Sequence, residues 1–272
     1  MTFPKQLLTL LFLSLVCALQ AATPQRIISL VPSVTKNIYQ LGAEAQLVGC
    51  TSFCTLAKPD DAEVVASAVQ VNMEKALLLK PDLVVVGSLT PPETTQMFRK
   101  LGVEVMELPY PKSFDDICQQ MLSLGEQIGK ADEAKQRISE AKRKLAEAQK
   151  LIPSEKESYS AFMQIGANPL FGVVPNTFMN DFLSLAHLRN VAEKMHSGSL
   201  SREAILVSNP DYIFVVIMGS MGRDESRNWT KYSSLKAVQA KHIYELDADM
   251  ACSPTPDDFV EVLTQIINII YN

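Results

Sequence analysis

Residues 72–86, Asn-Met-Glu-Lys-Ala-Leu-Leu-Leu-Lys-Pro-Asp-Leu-Val-Val-Val, are echoed at residues 201–215 by Ser-Arg-Glu-Ala-Ile-Leu-Val-Ser-Asn-Pro-Asp-Tyr-Ile-Phe-Val. In both copies a residue of N-capping type stands two before a glutamate, Glu74 or Glu203. In both, Pro-Asp follows seven residues later and opens a run of β-branched and aromatic residues. A short helix that feeds a buried parallel strand accounts for each copy. A chain that makes this unit twice is constrained toward two similar α/β lobes, and similar lobes enclose a cleft. The glutamates have a purely local reading as well, because an acid in the first turn is favoured by the helix dipole.

The rest of the chain follows the same alternation. Strands are expected at 26–31, 46–49, 83–86 and 103–108, with helices at 35–41, closed by Gly42, and 92–101. The second half repeats the order, with a strand at 159–164, a helix at 177–185, the repeated unit, a strand at 243–246 and an amphipathic helix at 257–271. Such alternation argues for parallel sheets covered by helices. Between the halves, Ala134, Ile138, Ala141, Leu145 and Ala148 line one face of a charged segment, predicting a helix over 131–151 with a narrow buried stripe. At about 1.5 Å per residue it spans roughly 30 Å, the width of a small domain. A rigid connector of this kind limits the lobes to small relative movements. The expected division is a leader at 1–22, an N-terminal lobe at 23–130, the connector at 131–151 and a C-terminal lobe at 152–272.

Lys5 precedes an apolar stretch from Leu7 to Leu19, followed by small residues and Pro24, the pattern of a cleavable secretory signal. The stretch is shorter than the roughly 20 residues needed to span a bilayer. Cys17 follows bulky Val16, which argues against a lipidated cysteine. The net charge of −5 offers no basic field for nucleic acid. Beyond the leader, Cys50, Cys54, Cys118 and Cys252 allow three disulfide pairings, and an oxidising compartment makes pairing plausible. Cys50 and Cys54 have metal-like spacing, but no matching Cys or His pair accompanies them, so a disulfide or a buried free thiol is expected and no metal site. Catalysis is not expected either. No GxGxxG or GxxxxGK[ST] follows the first strand, no nucleophile elbow is present, and histidines 187, 196 and 242 are scattered.

Several stretches, in this order and spacing, resemble the ABC-importer solute-binding proteins with a single helical backbone, which take up cobalamin, ferric siderophores and haem. They are Arg26-Ile-Ile-Ser-Leu-Val-Pro-Ser33, Val48-Gly-Cys-Thr-Ser-Phe53, Asn72-Met-Glu74 through Pro81-Asp82, Gln164-Ile-Gly-Ala-Asn-Pro-Leu-Phe171 and Leu200-Ser-Arg-Glu203. The resemblance covers nearly all of the chain after the leader and is nearest to the cobalamin-binding branch. It implies two Rossmann-like lobes with mainly parallel sheets joined by one long helix, a monomer with a ligand cleft, and a corrinoid cargo, with haem or a ferric siderophore as the alternative. It also implies that Glu74 and Glu203 dock to arginines on the two halves of a permease dimer, and that the protein has no cofactor of its own. The ligand-binding candidates it implies are Ser33, Phe53, Asn72 and Ser88 in the first lobe, with Val34 and the rest of the 87–89 loop, and Phe171, His196, Met218, Asp249 and Met250 in the second.

The departures bear on the cargo. Three positions that carry tryptophan in the cobalamin-binding branch are Ala68, Gly87 and Ser197, and the single tryptophan, Trp229, is expected in a polar loop. Each loss removes on the order of a hundred Å² of aromatic contact. A haem reading draws on axial donors, for which His196, Met195 and Tyr110 are the candidates. A siderophore reading draws on Arg223 and Arg227, in the same expected loop.

Overall fold

The computed structural model describes residues 23–57, 62–67, 70–154, 159–195, 197–216 and 220–272. The expected leader, Ala68, His196 and Met218 lie outside the described residues.

The first lobe runs β1 (Ile27–Ser29), α1 (Pro32–Gln40), β2 (Leu47–Thr51), β3 (Glu63–Ala66), α2 (Met73–Leu78), β4 (Leu83–Gly87), α3 (Pro92–Lys100) and β5 (Glu104–Leu108). Its sheet has the order β3-β2-β1-β4-β5 and is parallel throughout. Apolar clusters on its two faces explain why the central strands read as continuous hydrophobic runs: Ile27, Leu83 and Val85 face one, Ile28, Val84 and Val86 the other. The edge strand β3 was not expected from sequence. Its Glu63 and Val64 are exposed, so the four residues carry no buried pattern to read.

Two helices then join the lobes, α4 (Phe114–Gln127) and α5 (Ala131–Gln149). The long helix forms where its alanine stripe predicts, and α4 packs along it. Both cross from one core to the other. Phe114, Ile117 and Cys118 of α4 belong to the second lobe's core, whereas Met121 and Leu124 belong to the first. Ala134 of α5 packs with the first lobe and Ala141 and Ala148 with the second. Gly125 permits the close crossing, because a Cβ there would lie 2.7 Å from Ala134 Cβ and 2.8 Å from Lys130 O.

The second lobe contains β6 (Ser160–Gly166), β7 (Phe171–Gly172), α6 (Phe178–Leu185), β8 (Arg189–Asn190), α7 (Arg202–Ser208), β9 (Tyr212–Val215), α8 (Ser220–Trp229), α9 (Lys236–Gln239), β10 (Ile243–Glu245), α10 (Ala248–Cys252) and α11 (Pro256–Tyr271). Its sheet has the order β10-β9-β6-β7, with β8 also on β6; β7 alone runs antiparallel. A capping box formed by Thr255 and Asp258 starts α11, whose Phe259, Leu263, Ile266 and Ile267 close the core.

Candidate functional site

The repeated sequence makes the same local structure twice. Asn72 Oδ1 caps α2 by accepting from Lys75 N at 3.0 Å, and Ser201 Oγ caps α7 by accepting from Ala204 N at 3.1 Å. Each helix ends at a left-handed residue, Lys80 at φ 49° and Asn209 at φ 43°, directly before the proline. The aspartate after the proline then ties the unit to the start of its lobe's central strand. Asp82 accepts from Gln25 N at 2.8 Å and Arg26 N at 3.0 Å, while Asp211 accepts from Ser160 N at 2.8 Å and Ser160 Oγ at 2.7 Å. Burial pushes the Asp211 carboxyl up, but these bonds and the nearby Lys236 carry it below the ordinary value. Glu74 and Glu203 stand exposed in the first turns, and neither forms an ion pair among the described residues. Bonds from its own backbone N–H and from Ser201 hold Glu203 below the usual carboxylate range.

The ligand candidates sort into three groups. Ser33 in the first turn of α1, Phe53 in the turn after β2, and Ser88 after β4 all follow the C-terminal ends of strands, where open α/β sheets bind ligands. Phe53 is 44% exposed and Leu89 73% on these loops, and Phe171 of β7 is 38% exposed, so three large apolar side chains are uncovered. A second group is already engaged. Asn72 caps α2, Val34 is buried in the first lobe's core, and Met250 packs against that of the second. Asp249 meets Lys36 Nζ at 2.8 Å and accepts from Thr55 Oγ1 at 3.4 Å, so it ties one lobe to the other. His196 and Met218, the third group, lie outside the described residues.

Lys36 was missed in the sequence. Its side chain is 7% exposed and reaches from α1 to Asp249, the Asp249 carbonyl at 2.9 Å and Asp258 at 3.2 Å. Gln40 adds a bond to Thr255 Oγ1 at 2.9 Å, making α1 the face on which the lobes meet. Tyr110 sits at the junction, its ring 5.6 Å from Phe178, and burial raises its hydroxyl pKa.

Under the Phe53 turn, Cys50 and Cys54 are buried free thiols whose sulfurs interact, and Cys118 is a third, buried elsewhere in the core. Cys54 Sγ also lies 3.0 Å from Thr35 Oγ1, which donates to Ser29 Oγ at 2.9 Å. The hydrogen bond from Cys50 lowers the Cys54 thiol to about 6, helped by Thr51 and opposed by burial; Cys50, keeping the proton, is pushed up. Cys252 is exposed and free. A groove of about 740 Å³ lies elsewhere, between α1, α5 and α11, lined by Gln40, Arg137, Lys144, Glu147, Asp257 and Asp258 among others; none of the candidates borders it.

Trp229 is not in a loop. It ends α8 fully buried, its Nε1 donating to Gln164 Oε1 at 2.6 Å, and so is withdrawn from any ligand. Around it, buried Glu225 accepts from Gln164 Nε2 at 2.8 Å, from Asn228 Nδ2 at 3.0 Å and from Arg202, whose guanidinium lies 4.8 Å from the indole centroid. Arg223 and Arg227 are likewise helical and exposed. Between Met221 and Trp229 the helix has no apolar side chain and so no amphipathic period, which is why the sequence reads as a loop.

Residues 27–250 match the family model described as periplasmic binding protein. An uncharacterized ABC transporter substrate-binding lipoprotein of Bacillus subtilis is 28% identical over 91% of this chain and 80% of its own length. A vitamin B12-binding protein of Pectobacterium atrosepticum is 28% identical over 74% of this chain and 75% of its own. The crystal structure of a periplasmic heme-binding protein of Vibrio cholerae superposes with a TM-score of 0.80 at 18% identity, over 91% of this chain and 99% of that one. These relatives are binding proteins, two of them named for different tetrapyrroles.

Proposed function

We propose, given that this chain belongs to the periplasmic binding protein family, that it captures a corrinoid outside the inner membrane and delivers it to the permease of an ABC importer. The observation that carries the reading is the duplicated unit. Each lobe presents a capped short helix with an exposed, unpaired glutamate beside a set of strand-end loops. Ser33, Phe53, Ser88 and Phe171 contact the cargo between the lobes, and His196 and Met218 are further ligand residues of this reading. Glu74 and Glu203 dock to guanidinium groups, one on each half of the permease, since charge-assisted pairs set orientation and encounter rate. Export by the leader at 1–22 brings a monomer to its site of action. Binding without turnover completes the mechanism.

A corrinoid is favoured by the sequence relative named for vitamin B12 and by the uncovered rings of Phe53 and Phe171. Haem is the second reading, supported by the heme-binding neighbour with the same fold and by the smaller residues at 68, 87 and 197. Visible spectra recorded after mixing the purified protein with cyanocobalamin, haemin or a ferric hydroxamate, and removing the excess, test both. Corrin absorbance retained at one equivalent supports the first reading and retained haem the second, while an uncoloured protein overturns both. Glu74→Ala combined with Glu203→Ala should leave that spectrum intact while uptake falls at least tenfold; unchanged uptake rejects the docking role.

A further inference from the structure

Leu78 and Val207 hold the same place in the two repeats, four residues after Glu74 and Glu203. They are 74% and 87% exposed, the highest values of any large apolar side chain among the described residues. A spacing of four residues puts each on the same helical face as its glutamate. Leu89, the next most exposed at 73%, lies after β4 and has no partner in the other lobe. The duplication is therefore particular to the two glutamate-bearing helices.

We infer that Glu74 with Leu78, and Glu203 with Val207, form two matched contact points, each a carboxylate with an aliphatic side chain one turn further on, that seat on the two halves of a membrane permease. The inference rests on the docking role proposed for the glutamates and adds the apolar half of the contact. The occupant follows from charge and symmetry. An exposed carboxylate on each lobe, in no ion pair among the described residues, calls for a cationic group, and duplication of the pair calls for a partner with two like halves. A second copy of this chain fits badly, because it carries a net charge of −5 and a two-fold pairing of these faces would set carboxylate against carboxylate. The aliphatic residues also divide the work. Exposed charges raise the encounter rate and lose strength in salt, whereas buried apolar contact slows dissociation and is salt-tolerant. A leucine and a valine, one per lobe, keep the complex bound after the carboxylates have oriented it.

The test places a photo-crosslinking amino acid in turn at positions 74, 78, 203 and 207 of the full-length chain in its native cells, and identifies the captured protein by mass spectrometry. All four positions should capture the same polytopic permease subunits. In addition, Leu78→Ser with Val207→Ser should cut the yield from positions 74 and 203 roughly tenfold, with an unchanged melting temperature because both residues are exposed. Capture from 74 and 203 but not from 78 and 207 overturns the apolar contact and leaves the docking role standing. Failure at all four positions overturns both. Capture of a second copy at 78 and 207, or an undiminished yield in the serine double variant, also refutes the inference.

Discussion

Behind the exposed helix α2 the first lobe is apolar, whereas behind α7 the apolar cluster around Ile205 is joined by a buried polar network. Met73, Leu77 and Leu79 rest against Ile28, Val65, Val84 and Phe98, and the polar ties of α2 are at the surface, Lys75 to Glu63 and Arg26 Nε to Leu79 O at 2.7 Å. In α7, Arg202 turns inward to Glu225, which also accepts from Gln164 and Asn228, and Trp229 donates to that Gln164. What is duplicated is the outward carboxylate, the cap, the left-handed turn and the aspartate on the central strand. What differs is the support. The outward set has to meet one partner at two points, while each core needs only to be filled and satisfied.

Breaking the support should expose this asymmetry. Trp229→Ala removes a fully buried ring and orphans Gln164, and should cost about 3–5 kcal/mol in urea unfolding; a loss below about 1 kcal/mol would mean that the network is not what supports α7. The shared aspartates give a smaller contrast. Asp211→Ala should cost about 2–3 kcal/mol and the more exposed Asp82→Ala about 1 kcal/mol, so a larger loss at Asp82 would reverse the ranking. Lys80→Asn brings the first lobe closer to the second, because asparagine tolerates the left-handed region better. A gain of about 0.5–1 kcal/mol is expected, visible as a melting temperature higher by about 1–4 °C.

The thiol pair of the first lobe has no counterpart in the second and gives a contrast in pH rather than in contacts. Between about pH 6 and the ordinary thiol value of 9.0, the folded pair binds one proton fewer than the unfolded chain. Its contribution to stability therefore rises with pH across that window and is lost as pH falls through about 6. Thiolate absorbance near 240 nm should titrate one equivalent with a midpoint near pH 6 in the wild type and none there in Cys54→Ser; a midpoint near 9 in the wild type would show that Cys50 does not donate to Cys54.

Most of the architecture was legible because period and punctuation were strong. The Pro-Asp units, the alanine stripe of α5 and the apolar strands β1, β4, β6 and β9 all formed where they were expected, with ends shifted by a few residues. The two-residue strands β7 and β8 and the edge strand β3 were missed, since none carries a buried run long enough to show a period. Lys36 was hidden for a different reason. A lysine in a helix gives no local sign of burial, yet Lys36 is buried because Asp249 and Asp258 of the second lobe cover it. Trp229 failed likewise, its partner Gln164 lying 65 positions away.

By itself the sequence determined which elements form, that they form twice, and that an acid begins each exposed helix, because these depend on propensity, capping and periodicity over neighbouring residues. Tertiary structure alone decided which polar groups are spent inside the molecule and which face outward. Asp249 binds a lysine of the other lobe, Trp229 a glutamine of the same core, and Glu74 and Glu203 form no ion pair among the described residues. Burial and pairing arise between residues far apart in the chain, and no local pattern records which of them will meet.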